Sequence, residues 1–307
     1  MKRIGMLTSG GDCQALNAAM RGVVKGLSEN VDELEVYGFL NGYKGLIYGD
    51  YRLLTSADFS GILTKGGTIL GSSRQPFKQM RVPDANGLDK VEAMKATYHK
   101  LNLDCLVILG GNGTQKTANL LREEGLNIIH LPKTIDNDLV LTDHTPGYGS
   151  AARYVAASVR EIALDASVYQ QKSVTIVEIM GRHAGWLTAA SALARKEAGD
   201  NPLLIYLPEA PFELAQFNDD LKKAFEKTAN VIVCVSEGIR DHGGRFICEY
   251  STEAQVDTFG HKMLAGCGKI LENYVRNQFG VKVRSVELNV NQRCSGLTVS
   301  ATDLNEA

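Results

Sequence analysis

The 307-residue sequence has no apolar run approaching the roughly 20 residues needed to cross a bilayer, and the apolar part of its opening stretch, Ile4-Gly5-Met6-Leu7, is too short for a signal peptide. A cytoplasmic protein with no membrane partner is the expectation. An excess of charge of one sign is also missing. Lys and Arg number 33 against 35 Asp and Glu, a formal net charge of −2, so nothing draws the chain as a whole to nucleic acid or anionic lipid. Any anion must be bound by a local cluster of donors. The six cysteines (Cys13, Cys105, Cys234, Cys248, Cys267, Cys294) form no CxxC pair and match no histidine spacing, which argues against a zinc site or a disulfide framework and leaves most as reduced core thiols. With 44% hydrophobic and 22% charged residues, disordered and collagen-like chains are excluded. A length of 307 residues suffices for one large core or two moderate ones.

What is present is an alternation of short β-branched runs with amphipathic stretches. Strands are expected at 3–8, 34–40, 103–110, 127–133, 173–181, 203–209, 231–237 and 281–288. Apolar residues at three- and four-residue spacing predict helices at 15–27, 115–124, 149–166, 186–198, 212–228 and 252–279. This is the rhythm of an α/β fold built on mostly parallel sheets, and no repeat of solenoid length interrupts it. A change of character across 139–149 marks the crossing between two α/β lobes, 1–139 and 140–307.

Open α/β sheets bind ligands beyond the carboxyl ends of their strands, where loops enter helix N-termini with free backbone amides. Four such ends carry unusual residues: Ser9-Gly10-Gly11-Asp12, Gly110-Gly111-Asn112-Gly113-Thr114, Lys133-Thr134-Ile135-Asp136-Asn137-Asp138 and Met180-Gly181-Arg182-His183. Glycines in the first two let the backbone approach a polyphosphate, and the helix expected from Gln115, with Thr114 as its N-cap, adds amide donors. Each loop alone is equally a turn that needs glycine. The third end is the densest chemical cluster of the chain. Phosphoryl transfer to a hydroxyl requires a carboxylate to accept the proton and cations on the phosphate oxygens, roles open to Asp136 and Lys133. An Asx turn joined to a helix cap is the competing reading.

Arg182 follows a strand and precedes a helix, where a guanidinium can grip phosphate bidentately. Arg74, after the turn at 66–73, and Arg284 and Arg293 near the end add cations, and the set suits a multiply phosphorylated ligand. His183 reads as a capping or packing residue rather than a catalytic one, Trp186 is a weak signal, and the stripe of Leu264, Ile270, Leu271 and Val275 reads as core.

In order along the chain, five motifs resemble those of the 6-phosphofructokinases: 4–12 with Leu16-Asn17-Ala18-Ala19, 66–72 with Arg74, Thr134-Ile135-Asp136-Asn137-Asp138, Glu178-Ile179-Met180-Gly181-Arg182, and Gln292-Arg293. The resemblance implies two Rossmann-like lobes with the active site in the cleft between them, and the glycolytic transfer of a phosphoryl group from ATP to the 1-hydroxyl of fructose 6-phosphate with Mg²⁺. It implies Asp136 as base, with Asp138, Thr134 and Lys133 around the transferring group. Gly11, Arg74, Gln75, Gly111, Asn112, Gly113 and Thr114 would bind the donor, and Asn112 would stand at the metal. Thr134, Ile135, Asp136, Met180, Gly181, Arg182, Glu237, Arg284, Gln292 and Arg293 would bind fructose 6-phosphate. Arg284 is usually supplied by a neighbouring subunit, so a homodimer or homotetramer is implied.

Donor choice turns on two positions. Gly113 leaves room for a nucleotide where pyrophosphate enzymes carry aspartate, whereas Lys133 stands where those enzymes also carry lysine. Glycine with lysine occurs in ATP-dependent members as well, and ATP is the favoured donor, pyrophosphate the alternative. Three departures bear on detail. Asn112 replaces the aspartate that would hold Mg²⁺, contributing no charge. Cys13-Gln14-Ala15 replaces a small residue, proline and glycine, and Ser173, with Lys172 beside it, replaces an arginine. A regulatory sugar-phosphate-binding paralogue is therefore a further alternative, against which the retention of Asp136, Asp138 and Arg182 argues. Family members continue for roughly fifty residues past position 307, about a helix and a further small unit on usual element lengths, so a truncated C-terminal part is expected, with a helix starting at Asp303.

Overall fold

A computed structural model describes residues 1–250 and 266–305. In chain order its elements are β1 (Lys2–Ser9), α1 (Ala15–Asn30), β2 (Leu34–Phe39), α2 (Tyr43–Tyr48), β3 (Tyr51–Leu54), α3 (Lys90–Lys100), β4 (Cys105–Gly110), α4 (Asn112–Glu123), β5 (Ile128–Pro132), α5 (Tyr148–Ser167), β6 (Ser173–Ile179), α6 (Trp186–Ala190), β7 (Leu204–Tyr206), α7 (Leu214–Lys227), β8 (Asn230–Ser236), α8 (Cys267–Phe279), β9 (Lys282–Glu287) and α9 (Ala301–Asn305). The fold is α/β with two mostly parallel sheets. All eight expected strands are present, with ends moved by at most three residues.

The chain divides into two units, one of 1–135, 144–150 and 293–307, the other of 136–143 and 151–292. Where sequence patterning gives one crossing near 139–140, the chain passes between the units after Ile135, Asp143, Ser150 and Gln292. The last of these carries Arg293–Ala307 back into the first unit, because Asp303 belongs there. Its carboxylate is buried and accepts from the N–H groups of Gly147 (2.8 Å) and Ser150 (2.7 Å), satisfying donors at the start of α5.

The first unit holds a sheet in the order β3-β2-β1-β4-β5, parallel except for the β2–β3 edge. The chain leaves β1 toward β2 on one side and returns to β4 on the other, so β1 and β4 flank the switch point where open α/β sheets bind ligands. One face packs Leu7, Phe39, Tyr43, Met94, Leu106 and Leu121 into a core. The second unit holds a sheet in the order β7-β8-β6-β9, parallel throughout, with Val174, Ile176, Phe217, Val233 and Leu271 among its core residues. Its strands β6 and β8 are buried along nearly their whole length, as both-face coverage of a parallel sheet requires.

Three helix expectations are corrected. The helix expected at 115–124 begins at Asn112, so Thr114 is not its N-cap; the cap residue is Gly111, and Gln115 N–H already closes on Gly111 O (3.0 Å). The helix expected at 186–198 ends as α6 at Ala190 and tightens into a 3₁₀ turn, Ser191–Ala194, where Ser191 Oγ donates to Thr188 O (2.6 Å). Of the stretch 252–279, α8 occupies Cys267–Phe279; residues 252–265, including Leu264, lie outside the described residues. Ile270, Leu271 and Val275 pack into the core, as expected. All six cysteines are free, five of them buried and Cys294 exposed. Among the described residues no helix is long and apolar enough to cross a membrane.

Candidate active site

Strand register decides which loops meet in the first unit. Ser9 on β1 pairs with Gly110 on β4, and Gly110 pairs with Pro132 on β5. The three strands therefore end level, and Gly10-Gly11-Asp12, Gly111-Asn112-Gly113 and Lys133 emerge side by side from one edge. Lys133 N–H donates to Gly110 O (3.2 Å), and Thr114 Oγ1 donates to Ser9 O (3.2 Å), tying the loops together. This approach is why position 110 is glycine: a Cβ there would lie 2.5 Å from the Thr114 side chain and 2.6 Å from Ser9 O. Tyr43 Oη reaches in from α2 to donate to Thr114 O (2.8 Å), holding the first turn of α4 from behind.

With α4 starting at Asn112, the amides of Asn112, Gly113 and Thr114 belong to its first turn and have no intrahelical acceptor. They carry the positive end of the helix dipole. Asn112 and Gly113 are exposed, and a Cβ built on Gly113 meets nothing within 4 Å. A third segment packs on this edge. Ser72 Oγ donates to Gly10 O (2.6 Å), Ser9 Oγ donates to Ser73 O (3.2 Å), and Asn17 clamps the preceding turn through Lys65 O (2.9 Å) and Ile69 N–H (2.9 Å). Exposed Arg74 and half-buried Gln75 follow directly in the chain.

Asp12 is the group that motif reading undervalues. Its Oδ1 is buried without a hydrogen bond, and burial raises the carboxyl above its ordinary pKa against the opposing pull of the Cys13 amide, Lys133, Cys294 and Arg293. An acid directly after paired glycines was the available signal. Lys133 is itself buried, and its Nζ lies 3.9 Å from where a Gly11 Cβ would stand. One carboxylate thus interacts electrostatically with two cations, Lys133 and Arg293, beside the first glycine loop. Among the described residues no group of three or more His, Cys, Asp or Glu gathers as a metal cluster.

In the second unit the residues after β6 and β8 are joined. Ile179 pairs with Ser236, Glu237 N–H donates to Ile179 O (2.8 Å), and Ser236 Oγ donates to Gly181 O (2.5 Å). Gly181 N–H points at Glu237 Oε1 (3.4 Å). Gly181 has φ +134°, and a Cβ there would lie 2.5 Å from Ala184 O, so only glycine fits this turn. Gly238 is equally confined, with 2.1 Å between its would-be Cβ and Arg182 O. Met180, Gly181, Arg182 and Glu237 are thereby brought together. Asp138 reaches the same turn electrostatically, since it acts on His183.

Other expected residues are placed elsewhere. Arg284 stands opposite Thr175, four positions before Ile179 and roughly 13 Å back along the strand at the usual rise per residue. It faces Asp165 on α5 at 3.6 Å. Ile135 is buried in the core, and Thr134 O accepts from Thr145 Oγ1 (2.7 Å). Gln292 is buried, its Nε2 donating to Asn289 O (2.9 Å) and its Oε1 without a partner. Arg293 lies with Asp12 in the first unit. Arg240, three residues after Glu237, was not anticipated; it pairs with His183 across 57 residues.

Residues 3–288 match the family model described as Phosphofructokinase. Among curated relatives, the ATP-dependent 6-phosphofructokinase of Spirochaeta thermophila is 46% identical over 245 residues, covering 77% of this chain and 64% of that protein. The pyrophosphate–fructose 6-phosphate 1-phosphotransferase of Amycolatopsis methanolica is 37% identical over 98% of this chain and 82% of its own length. Among solved structures, the pyrophosphate-dependent phosphofructokinase of Marinobacter aquaeolei superposes with TM-score 0.82 at 27% identity, covering 100% of this chain and 73% of that one.

Proposed function

The chain belongs to the phosphofructokinase family, and from that premise we propose that it transfers a phosphoryl group from ATP to the 1-hydroxyl of fructose 6-phosphate, giving fructose 1,6-bisphosphate. The observation that carries the reading is the register of β1, β4 and β5, which aligns two glycine loops, a helix N-terminus and buried Lys133 at one sheet edge. Such an edge suits the phosphates of a donor. The turn of Met180-Gly181-Arg182 joined to Glu237 supports a sugar-phosphate acceptor: a guanidinium for phosphate and a carboxylate for hydroxyls.

On this reading the amides of Gly111, Asn112, Gly113 and Thr114, with Gly11, Arg74 and Gln75, bind the donor. Asp136 accepts the proton of the 1-hydroxyl as that oxygen bonds to the γ-phosphorus, and the bond from the γ-phosphorus to the bridging oxygen breaks to release ADP. Lys133 and Thr134 lie on the phosphoryl oxygens, and Asp138 and Arg182 flank the acceptor. Mg²⁺ bound on the donor would be held by Asn112 together with Asp12, whose unpartnered Oδ1 is an oxygen ligand in want of a cation, and it would neutralise charge on the phosphates. Open space at Gly113 supports ATP over pyrophosphate. Arg284, remote from the acceptor turn along its own sheet, serves a neighbouring copy in a dimer or tetramer.

The test is a coupled assay for fructose 1,6-bisphosphate with ATP and with pyrophosphate, run beside Asp136→Ala. ATP supports turnover, and loss of the base lowers kcat by about 10²–10⁴-fold. Turnover with pyrophosphate alone overturns the donor assignment. Undiminished turnover of the variant overturns the mechanism.

A further inference from the structure

The acceptor turn contains a side-chain pair that the transfer itself leaves unused. Arg240 Nη2 lies 2.6 Å from His183 Nδ1. A guanidinium has donors only and keeps its proton at any working pH, so Nδ1 has to be the acceptor, and it accepts only when it carries no hydrogen. The ring is therefore neutral, with its proton on Nε2.

Arg240 is in turn held in place. Its guanidinium stacks 4.2 Å from the Phe246 ring centroid, and its carbonyl accepts from Phe212 N–H (2.6 Å). The arginine is the fixed partner and the imidazole the oriented one. His183 Nε2 has no hydrogen bond among the described residues, and the residue is largely exposed. Arg240 Nε is a buried donor that also finds no acceptor.

The charged groups facing His183 are Arg240 after β8, Arg182 in its own turn, and Asp138 from the loop after β5. What burial it has, followed by Arg240 and Arg182, pulls its pKa below the ordinary histidine value, and Asp138 opposes them. Of the charged groups acting on His183, two are guanidiniums and one is an acid, while Glu237 and Glu209 are turned to the backbone amides of Gly181 and Gly185. An oxygen-rich anionic ligand is the complement of such a rim.

We propose that His183 binds substrate, donating Nε2–H to an oxygen of the acceptor sugar phosphate, with Arg240 fixing the tautomer that makes this possible. The inference rests on the acceptor assignment above and adds to it a discriminating contact. A neutral donor reads oxygen position rather than charge, so it favours the correctly placed sugar phosphate over other anions that Arg182 alone would attract.

The experiment compares wild type, His183→Ala, His183→Gln and Arg240→Leu in the coupled assay, with fructose 6-phosphate binding measured by calorimetry. His183→Ala raises KM and Kd for fructose 6-phosphate roughly tenfold, within the range for a hydrogen bond to a charged group, while kcat and the donor KM stay within about twofold. His183→Gln, which keeps an N–H donor, recovers most of the loss; Arg240→Leu weakens acceptor affinity in the same direction. In wild type the ¹⁵N resonance of His183 reports the Nε2–H tautomer and shifts when fructose 6-phosphate is added. Unchanged acceptor KM in His183→Ala, or a resonance indifferent to fructose 6-phosphate, overturns the proposal while wild-type turnover leaves the enzymatic reading intact. Absence of fructose 6-phosphate turnover and binding in wild type overturns both.

Discussion

Glu178 offers a test of the second unit that is independent of catalysis. It sits near the end of β6, two residues before Met180, is 4% exposed, and accepts from the N–H groups of Gly266 (2.9 Å) and Gly268 (2.7 Å) at the start of α8. Burial raises its pKa from 4.5 to about 7; the two amides oppose the shift, and Glu287, its neighbour in register on β9, adds to it. The folded chain thus retains a proton that the unfolded chain releases between these values. Its stabilising contribution is complete below about pH 4.5 and is lost as the pH rises through about 7. At 1.36 kcal/mol per unit, a shift of this size is worth about 3 kcal/mol. Glu178→Gln removes the titration and leaves every other group in place. Urea unfolding at pH 5, 6, 7 and 8 gives the difference in stability between wild type and variant, in which the remaining titrations cancel. That difference moves by about 2 to 3 kcal/mol in favour of the variant from pH 5 to pH 8, since part of the contribution is already lost at pH 5. Parallel stability curves, offset by a constant, would refute the reasoning, since they would mean that Glu178 is ionised in the fold throughout.

Two further outcomes follow from the loops. Gly181→Ala forces a Cβ to 2.5 Å from Ala184 O at φ +134°, so it lowers stability by about 2–3 kcal/mol and raises the KM for fructose 6-phosphate; an unchanged urea midpoint with unchanged KM contradicts the strained turn. Asn112→Asp adds a carboxylate in the first turn of α4, where the helix dipole favours it, so half-maximal activity is reached at a Mg²⁺ concentration several-fold lower; a Mg²⁺ titration superposing on wild type removes Asn112 from the metal.

Strand positions and the loops that follow them were legible in the sequence because both depend on local chemistry. Runs such as Cys105–Gly110 are apolar and β-branched, and each is followed at once by glycine or charge. The start of α4 reads three residues late for a related reason: Asn112 and Gly113 are poor helix formers, and Thr114 has the type of a cap. Its hydroxyl is instead used across the sheet on Ser9 O. Helix α3 escapes notice because its periodicity is faint, although Asp89 caps it through the amides of Val91 and Glu92. Pairings between distant segments leave no local trace. Arg240 with His183 and Asp303 with Gly147, 57 and 156 residues apart, are set by which strands and turns become neighbours. The unpartnered oxygen of Asp12 is likewise a property of burial, which no spacing rule records.

The open space around Gly113 has a consequence for how such chains diverge. A side chain added there touches no part of the fold, whereas one added three residues earlier, at Gly110, collides with Thr114 and Ser9. Position 110 is bound to the architecture, and position 113 is free of it. Under the proposed donor assignment, the part of donor choice that rests on position 113 can therefore change without disturbing the fold, whereas the part that rests on buried Lys133 cannot.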